Sequence, residues 1–188
     1  MANSLTILKW IWGAFGVYWL GSALKAKKAS THEANSLRIL RLVILAVTFI
    51  LLLSSWLRIG PLGWRFVPEF GWAPWTGIGV TVAGLLVCVW ARRHLGAHWS
   101  DKVVLKIDHQ LVQSGPYTYL RHPIYSGLLL GITGTALAVG EWRGIMALVL
   151  LGTNYFVKAR REERILAARF GEEFDAYRRR VGFLVPKI

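Results

Sequence analysis

Apolar residues along this chain come in long blocks, without the strict alternation of half-buried strands, and most blocks end at a cluster of cations. A bilayer core about 30 Å thick is crossed by roughly 20 helical residues. Five blocks approach or meet that length: Leu5–Leu24, Leu37–Leu57, Trp75–Trp90, Pro123–Val139 and Ile145–Val157. The first carries Trp10, Trp12, Tyr18 and Trp19 and stops at Lys25, Lys27 and Lys28; the third is closed by Arg92 and Arg93. Pro123 opens the fourth, where its missing N–H costs little. The fifth is short, so it either tilts within a bundle or continues past the bilayer.

The connecting stretches are of different kinds. Arg58–Pro74 holds three prolines and four aromatics, which predicts a loop or a shallow interfacial segment. His94–Arg121 is polar, with Val103–Ile107 and Leu111–Val112 as short extended pieces and Ser114-Gly115-Pro116 as a turn. Gly140–Gly144 forms a tight turn around Trp142. In Lys158–Arg180, Ile165, Leu166, Phe170, Phe174 and Tyr177 recur at helical spacing, which predicts an amphipathic helix broken or bent at Gly171. The expected fold is therefore an all-α, polytopic membrane bundle of about five transmembrane helices, one domain over residues 1–188, ending in an amphipathic helix.

Composition supports a membrane protein. The 188 residues are 54% hydrophobic and only 18% charged, which argues against a soluble domain. The net charge of +13 raises nucleic acid as a partner. The cations sit at the ends of apolar runs, however, which suits anionic lipid headgroups and not nucleic acid. With five spans, 19 of the 23 Lys and Arg residues fall on one side, leaving Lys9, Arg58, Arg65 and Arg143 on the other. That asymmetry predicts a cytoplasmic tail and a cytoplasmic His94–Arg121 region, as in a bacterial inner-membrane protein. The N-terminus lacks a basic n-region and a small-residue cleavage site, so it reads as a retained helix. Cys88, the single cysteine, lies inside an apolar run and reads as a small buried hydrophobe. His94 and His98 are four apart, but Gly96 between them weakens the helix a zinc site would need, and no metal is expected.

Ser114–Gly127, SGPYTYLRHPIYSG, carries the candidate chemistry. It places Tyr117, Tyr119, Arg121, His122 and Tyr125 at the mouth of an apolar run. Such groups are expensive near lipid unless they face protein, water or a ligand. A hairpin of the fourth and fifth spans would bring this segment close to Lys158–Glu163.

The string LVQSGPYTYLRHPIYSG, followed by a hairpin and then REERIL and FGEEF, resembles the isoprenylcysteine carboxyl methyltransferase family and the related phospholipid methyltransferases. The resemblance covers about Leu95–Pro186 and implies an S-adenosylmethionine pocket facing the cytoplasm, built from residues 94–188, with residues 1–93 as N-terminal helices. Carried over by position, the cofactor contacts are Lys102, His109, Gln110, Leu111 and Val112, then Tyr117, then His122, Pro123, Ile124 and Tyr125, and finally Glu162, with Glu163 beside it. Lys158 stands where the family usually places the arginine that anchors the acceptor's carboxylate; lysine is a point charge and lacks the bidentate fork. Lys158 and Arg121 are the candidates at the reacting end. Lys158 with Glu162 and Arg160 with Glu163 also suit ordinary helix-surface pairs, and Arg121 also suits snorkelling to headgroups.

Methyl transfer from a sulfonium demands alignment and exclusion of water more than acid–base chemistry. The resemblance implies a lipophilic or lipidated acceptor entering from the bilayer, most simply a carboxylate of the isoprenylcysteine type. The acceptor could also be another lipophilic acid, a thiol or a lipid amine, and an ammonium acceptor would have to lose a proton, which His122 or Glu163 could take. Two other readings stand beside it. Membrane sterol reductases that use NADPH carry a similar RHP-x-Y string, and a non-catalytic lipid-binding protein could keep the same fold.

Overall fold

Helices account for every apolar block and for the charged tail, and among the described residues no strand forms. The computed structural model describes residues 2–24, 35–67, 71–96 and 111–187. In chain order the helices are α1 (Ala2–Leu24), α2 (Asn35–Leu53), α3 (Ala73–Leu95), α4 (Pro123–Val139), α5 (Trp142–Phe170) and α6 (Glu172–Arg180). α4 lies between α3 and α5, α2 packs on α5, and α1 touches α3 and α4. Two of them, Ser36–Leu53 within α2 and Ala73–Leu95, are long and apolar enough to cross a membrane; α4 is apolar but shorter. α2 buries Thr48, Leu51 and Leu52 and leaves Ile39, Leu40, Leu42, Val43 and Ile50 largely exposed, an apolar surface that suits lipid better than water.

The α3–α4 contact is the tightest in the bundle, and its sequence explains why. A Cβ placed on Gly84 would lie 2.5 Å from the Gly127 carbonyl oxygen, and one on Gly134 would lie 2.5 Å from that of Gly77. Only glycine allows backbones this close, the small-residue packing that holds helices together in membranes. The hydroxyls of Thr81 and Thr135 sit between the two helices 3.1 Å apart. Trp12 Nε1 donates to Thr135 Oγ1 at 3.0 Å, bringing α1 into the same buried network. Trp12, Leu52, Leu85, Ile132 and Leu151 pack around it as the main apolar core.

Several boundaries differ from the sequence expectation. α2 stops at Leu53, short of Leu57, because the Arg143 guanidinium takes the carbonyls of Leu51 and Ser54 and turns the chain. α3 is longer at both ends than Trp75–Trp90. The fifth block and the start of the charged tail are one continuous helix of 29 residues, about 44 Å long and so longer than a bilayer core. Gly171, with φ of +50°, ends it, a left-handed conformation that side-chain-bearing residues rarely adopt. Ser114–Pro116 is a turn as expected and continues into a short 3-10 helix, Gly115–Thr118. Leu111 and Val112 form no strand, and Val103–Ile107 lies outside the described residues.

Candidate functional site

Two helix segments meet at one end of the bundle. Pro123 starts α4, so His122 and Arg121 stand just before its first turn and Tyr125 within it. Opposite them, α5 presents Tyr155, Lys158 and Glu162, spaced three and four residues apart and hence on one face. Tyr125 Oη donates to Glu162 Oε1 at 2.6 Å. His122 lies between two carboxylates: Nδ1 is 3.5 Å from Glu162 Oε2, and Nε2 is 3.5 Å from Glu163 Oε1. Nε2 is buried and makes no hydrogen bond among the described residues. His122, Tyr125 and Tyr155 form a column of near-parallel rings, with centroids 5.5 and 4.9 Å apart. Lys158 is buried, with Nζ 5.3 Å from the Tyr125 ring centroid.

Electrostatics follow from this packing. Burial disfavours the charged form of His122, but the flanking Glu162 and Glu163 outweigh it and hold its pKa above the ordinary 6.5. Burial would raise the Glu162 carboxyl; His122, Lys158 and the Tyr125 hydroxyl overcome this and hold it below 4.5. Glu163 is lowered in the same way, against burial, by His122 and Arg121. The charged forms of these groups support one another, and Glu162 is the most accessible carboxylate of the cluster at 22% side-chain exposure.

A strap closes the cluster from the C-terminal side. Arg121 N donates to the Gly182 carbonyl at 2.8 Å, and Gly182 N donates back to Tyr119 at 3.3 Å. The Arg121 guanidinium donates to Glu163 Oε1 at 2.6 Å and to the carbonyls of Arg178 and Val181. Arg121 is therefore a tie between α4, α5 and the strap, and its side chain, 9% exposed, does not reach for headgroups. Ser126 Oγ donates to the Leu184 carbonyl, and Phe183 packs edge-on against His122. Tyr177 Oη donates to the Tyr117 carbonyl at 2.7 Å; burial pushes that phenol up to about 12, so it stays a neutral donor.

The candidate residues divide into three groups. His122, Tyr125, Lys158, Glu162, Glu163 and Arg121 come together. Tyr117, Ile124 and Val112 form an apolar wall behind Tyr125, with Pro123 buried beside them, whereas Leu111 packs away from them against Phe174 and Tyr177. Lys102, His109 and Gln110 lie outside the described residues. Two members were missed from sequence. Tyr155 shares the helical face of Lys158 and Glu162, and that spacing could have revealed it. Phe183 lies in a segment without periodicity, and no local signal marked it.

Residues 72–173, more than half of the chain, match the model of the phospholipid methyltransferase family. The chain is 33% identical to a protein-S-isoprenylcysteine O-methyltransferase of Schizosaccharomyces pombe over 43% of its own length and 35% of that protein. It is 32% identical to methanethiol S-methyltransferase 2 of Bradyrhizobium diazoefficiens over 77% of its own length and 58% of that protein. It is 27% identical to a probable protein-S-isoprenylcysteine O-methyltransferase of Oryza sativa subsp. indica over 91% of its own length and 88% of that protein. The chain thus spans about a third of the first relative, more than half of the second and most of the third. The matched stretch contains α3, α4 and α5 together with His122, Tyr125, Lys158 and Glu162, so the helices that build the cluster are the ones by which the chain belongs to the phospholipid methyltransferase family.

Proposed function

We propose that this protein is an integral membrane methyltransferase that uses S-adenosylmethionine and acts on a lipophilic acceptor at the cytoplasmic membrane interface. The observation that carries the reading is the partly exposed carboxylate of Glu162, held by Tyr125 and His122 where α4 and α5 meet. The donor set suits the cofactor. Glu162 can accept from ribose hydroxyls or pair with the amino group, and His122 Nε2, which faces Glu163 at 3.5 Å without a hydrogen bond, can donate to a carboxylate. The apolar wall of Val112, Tyr117 and Ile124 suits an adenine ring. When bound, the cofactor supplies a methyl group already activated by the sulfonium charge. The chain's residues would hold the reactants in line, and the Phe183 strap would keep water out. A five-span arrangement with the cluster on the cation-rich side would bring the cofactor from the cytoplasm and the acceptor from the bilayer.

An acceptor carboxylate, as the isoprenylcysteine relatives act on, needs no base. The second reading is a thiol acceptor, favoured by the name of the Bradyrhizobium relative, which matches over more of this chain than the S. pombe protein does. A thiol must lose its proton, and the His122–Glu163 pair is the base at hand. Calorimetric titration of the purified protein with S-adenosylmethionine, S-adenosylhomocysteine and NADPH tests the reading. Saturable binding of the first two, lost in Glu162→Ala, supports it; binding of NADPH alone, or of none, sinks it.

A further inference from the structure

A second charged cluster lies at the far end of α4, a helix about 26 Å long, and so apart from the His122 cluster. There Glu141 meets three guanidiniums: Arg143 Nε at 2.6 Å, Arg58 Nε at 2.9 Å and Arg65 Nη1 at 3.8 Å. The connecting segment brings one further carboxylate, Glu69, which lies outside the described residues. Three arginines therefore stand against two glutamates, and one positive charge is left over. Arg143 is fully buried, and its Nη2 makes no hydrogen bond among the described residues. Arg143 lines a cavity together with Arg58 and Ser4, and the rest of the lining is apolar, with Leu5, Leu8 and Val139 among it. The cavity is open on one side and has room for about one water-sized group. Arg58 brings the charge to the surface, with 42% of its side chain exposed. Trp56, Trp64 and Trp142 stand exposed at the same end, and Trp142 N donates to the Trp64 carbonyl at 3.0 Å, which holds two of these indoles side by side. Indole rings favour the headgroup level of a bilayer.

We propose that Arg58 and the cavity beside it bind the phosphate of an acidic phospholipid from the leaflet at this end of the bundle. A single phosphate oxygen has the size that the cavity admits. The Arg58 guanidinium takes the phosphate at the surface, and Arg143 adds its charge from behind. The occupant is a lipid because the charged spot lies among exposed indoles at the end of apolar helices, where bilayer headgroups are at hand. It is an acidic lipid because one surplus positive charge is matched by a headgroup of net negative charge, whereas a zwitterionic headgroup brings its own cation. The lipid would seal the join between the first turns of α1, the end of α4 and the start of α5, whose residues line the cavity.

The test places a thiol in the cavity with Ser4→Cys; the native Cys88 is buried and does not compete. The purified protein in neutral detergent is alkylated with a water-soluble maleimide, alone and with phosphatidylglycerol, phosphatidylcholine or inorganic phosphate. Phosphatidylglycerol is expected to slow labelling by about fivefold or more relative to phosphatidylcholine at the same mole fraction, the margin of one headgroup charge. Inorganic phosphate should leave the rate unchanged. With Arg58→Gln added, labelling should proceed at the same rate in either lipid, and Arg58→Lys should keep part of the difference. Should Arg58→Gln not fold, the lipid comparison and Arg58→Lys still decide. Equal protection by both lipids, a difference that survives in Arg58→Gln, or a thiol closed to the reagent without lipid would each overturn the proposal. Protection by inorganic phosphate alone would overturn the lipid and assign the spot to a free anion.

Discussion

The α4–α5 hairpin has a carboxylate toward each end, and the two are treated in opposite ways. At the turn, Glu141 is 1% exposed and is gripped by Arg143 Nε at 2.6 Å and Arg58 Nε at 2.9 Å. Arg143 is completely buried and also ties down the end of α2. At the other end, Glu162 remains partly open, and His122 beside it keeps a ring nitrogen without a hydrogen-bonding partner. Each cluster keeps one buried nitrogen without a hydrogen bond among the described residues, Arg143 Nη2 at the turn and His122 Nε2 at the other end, but only the second has a carboxylate in reach of solvent. Burial of a charge alone therefore does not mark a site. What distinguishes the site is a carboxylate that the fold leaves partly exposed.

The strongest way to break this contrast is Arg143→Ala. It strips a buried guanidinium from Glu141 and from the end of α2, and should destabilise the protein by about 3 kcal/mol. Thermal unfolding in detergent reads this, and a melting temperature matching the wild type would mean the turn cluster is no clamp. Gly84→Ala acts between the two ends. Its Cβ would press on the backbone of α4, at 2.5 Å from Gly127 O, and the overpacking should cost about 2 kcal/mol. Cofactor binding should weaken with it, because α4 carries His122 and Tyr125.

Glu162→Gln sharpens the contrast from the other side. It should lower S-adenosylhomocysteine affinity by about tenfold or more, through loss of a charged acceptor, with a smaller fall in unfolding temperature than Arg143→Ala. A large stability loss with binding intact would make Glu162 a second clamp.

The smallest effect is in pH. The pKa of His122 is raised above 6.5, so its stabilising contribution is fully present below that value and is lost as pH rises through the raised one. The pKa values of Glu162 and Glu163 are lowered below 4.5, so their contribution is present above 4.5 and is lost as pH falls through the lowered values. The cluster should therefore stabilise most between about 4.5 and 6.5, and melting temperatures taken across mildly acidic to alkaline pH should decline on the alkaline side. His122→Gln should flatten that alkaline decline. A decline of equal size in the variant would assign it to other groups.

Much of this was legible in the chain itself. Apolar blocks placed α1 to α5, because a helix that faces lipid must be apolar along its own length, and a run of residues reveals that locally. The RHP-x-Y string and the Glu162-Glu163 pair placed His122, Tyr125 and Glu162 together, since the hairpin sets the start of α4 beside the part of α5 that follows the apolar block. The length of α5 was half visible: the charged residues after Val157 suggested a second helix, yet nothing there breaks a helix before Gly171, so one helix runs through.

Only the tertiary structure decided which charges are committed. Arg121 reaches the Val181 carbonyl 60 residues away, Arg143 reaches Leu51 across 92, and Trp12 meets Thr135 across 123. Phe183 gains its role from a strap that no periodicity announces. Helix formation depends on neighbours within a turn or two, which the sequence displays. The partner of a guanidinium depends on how whole helices approach, and here the glycines of α3 and α4 set that approach at a distance only the folded backbone reveals.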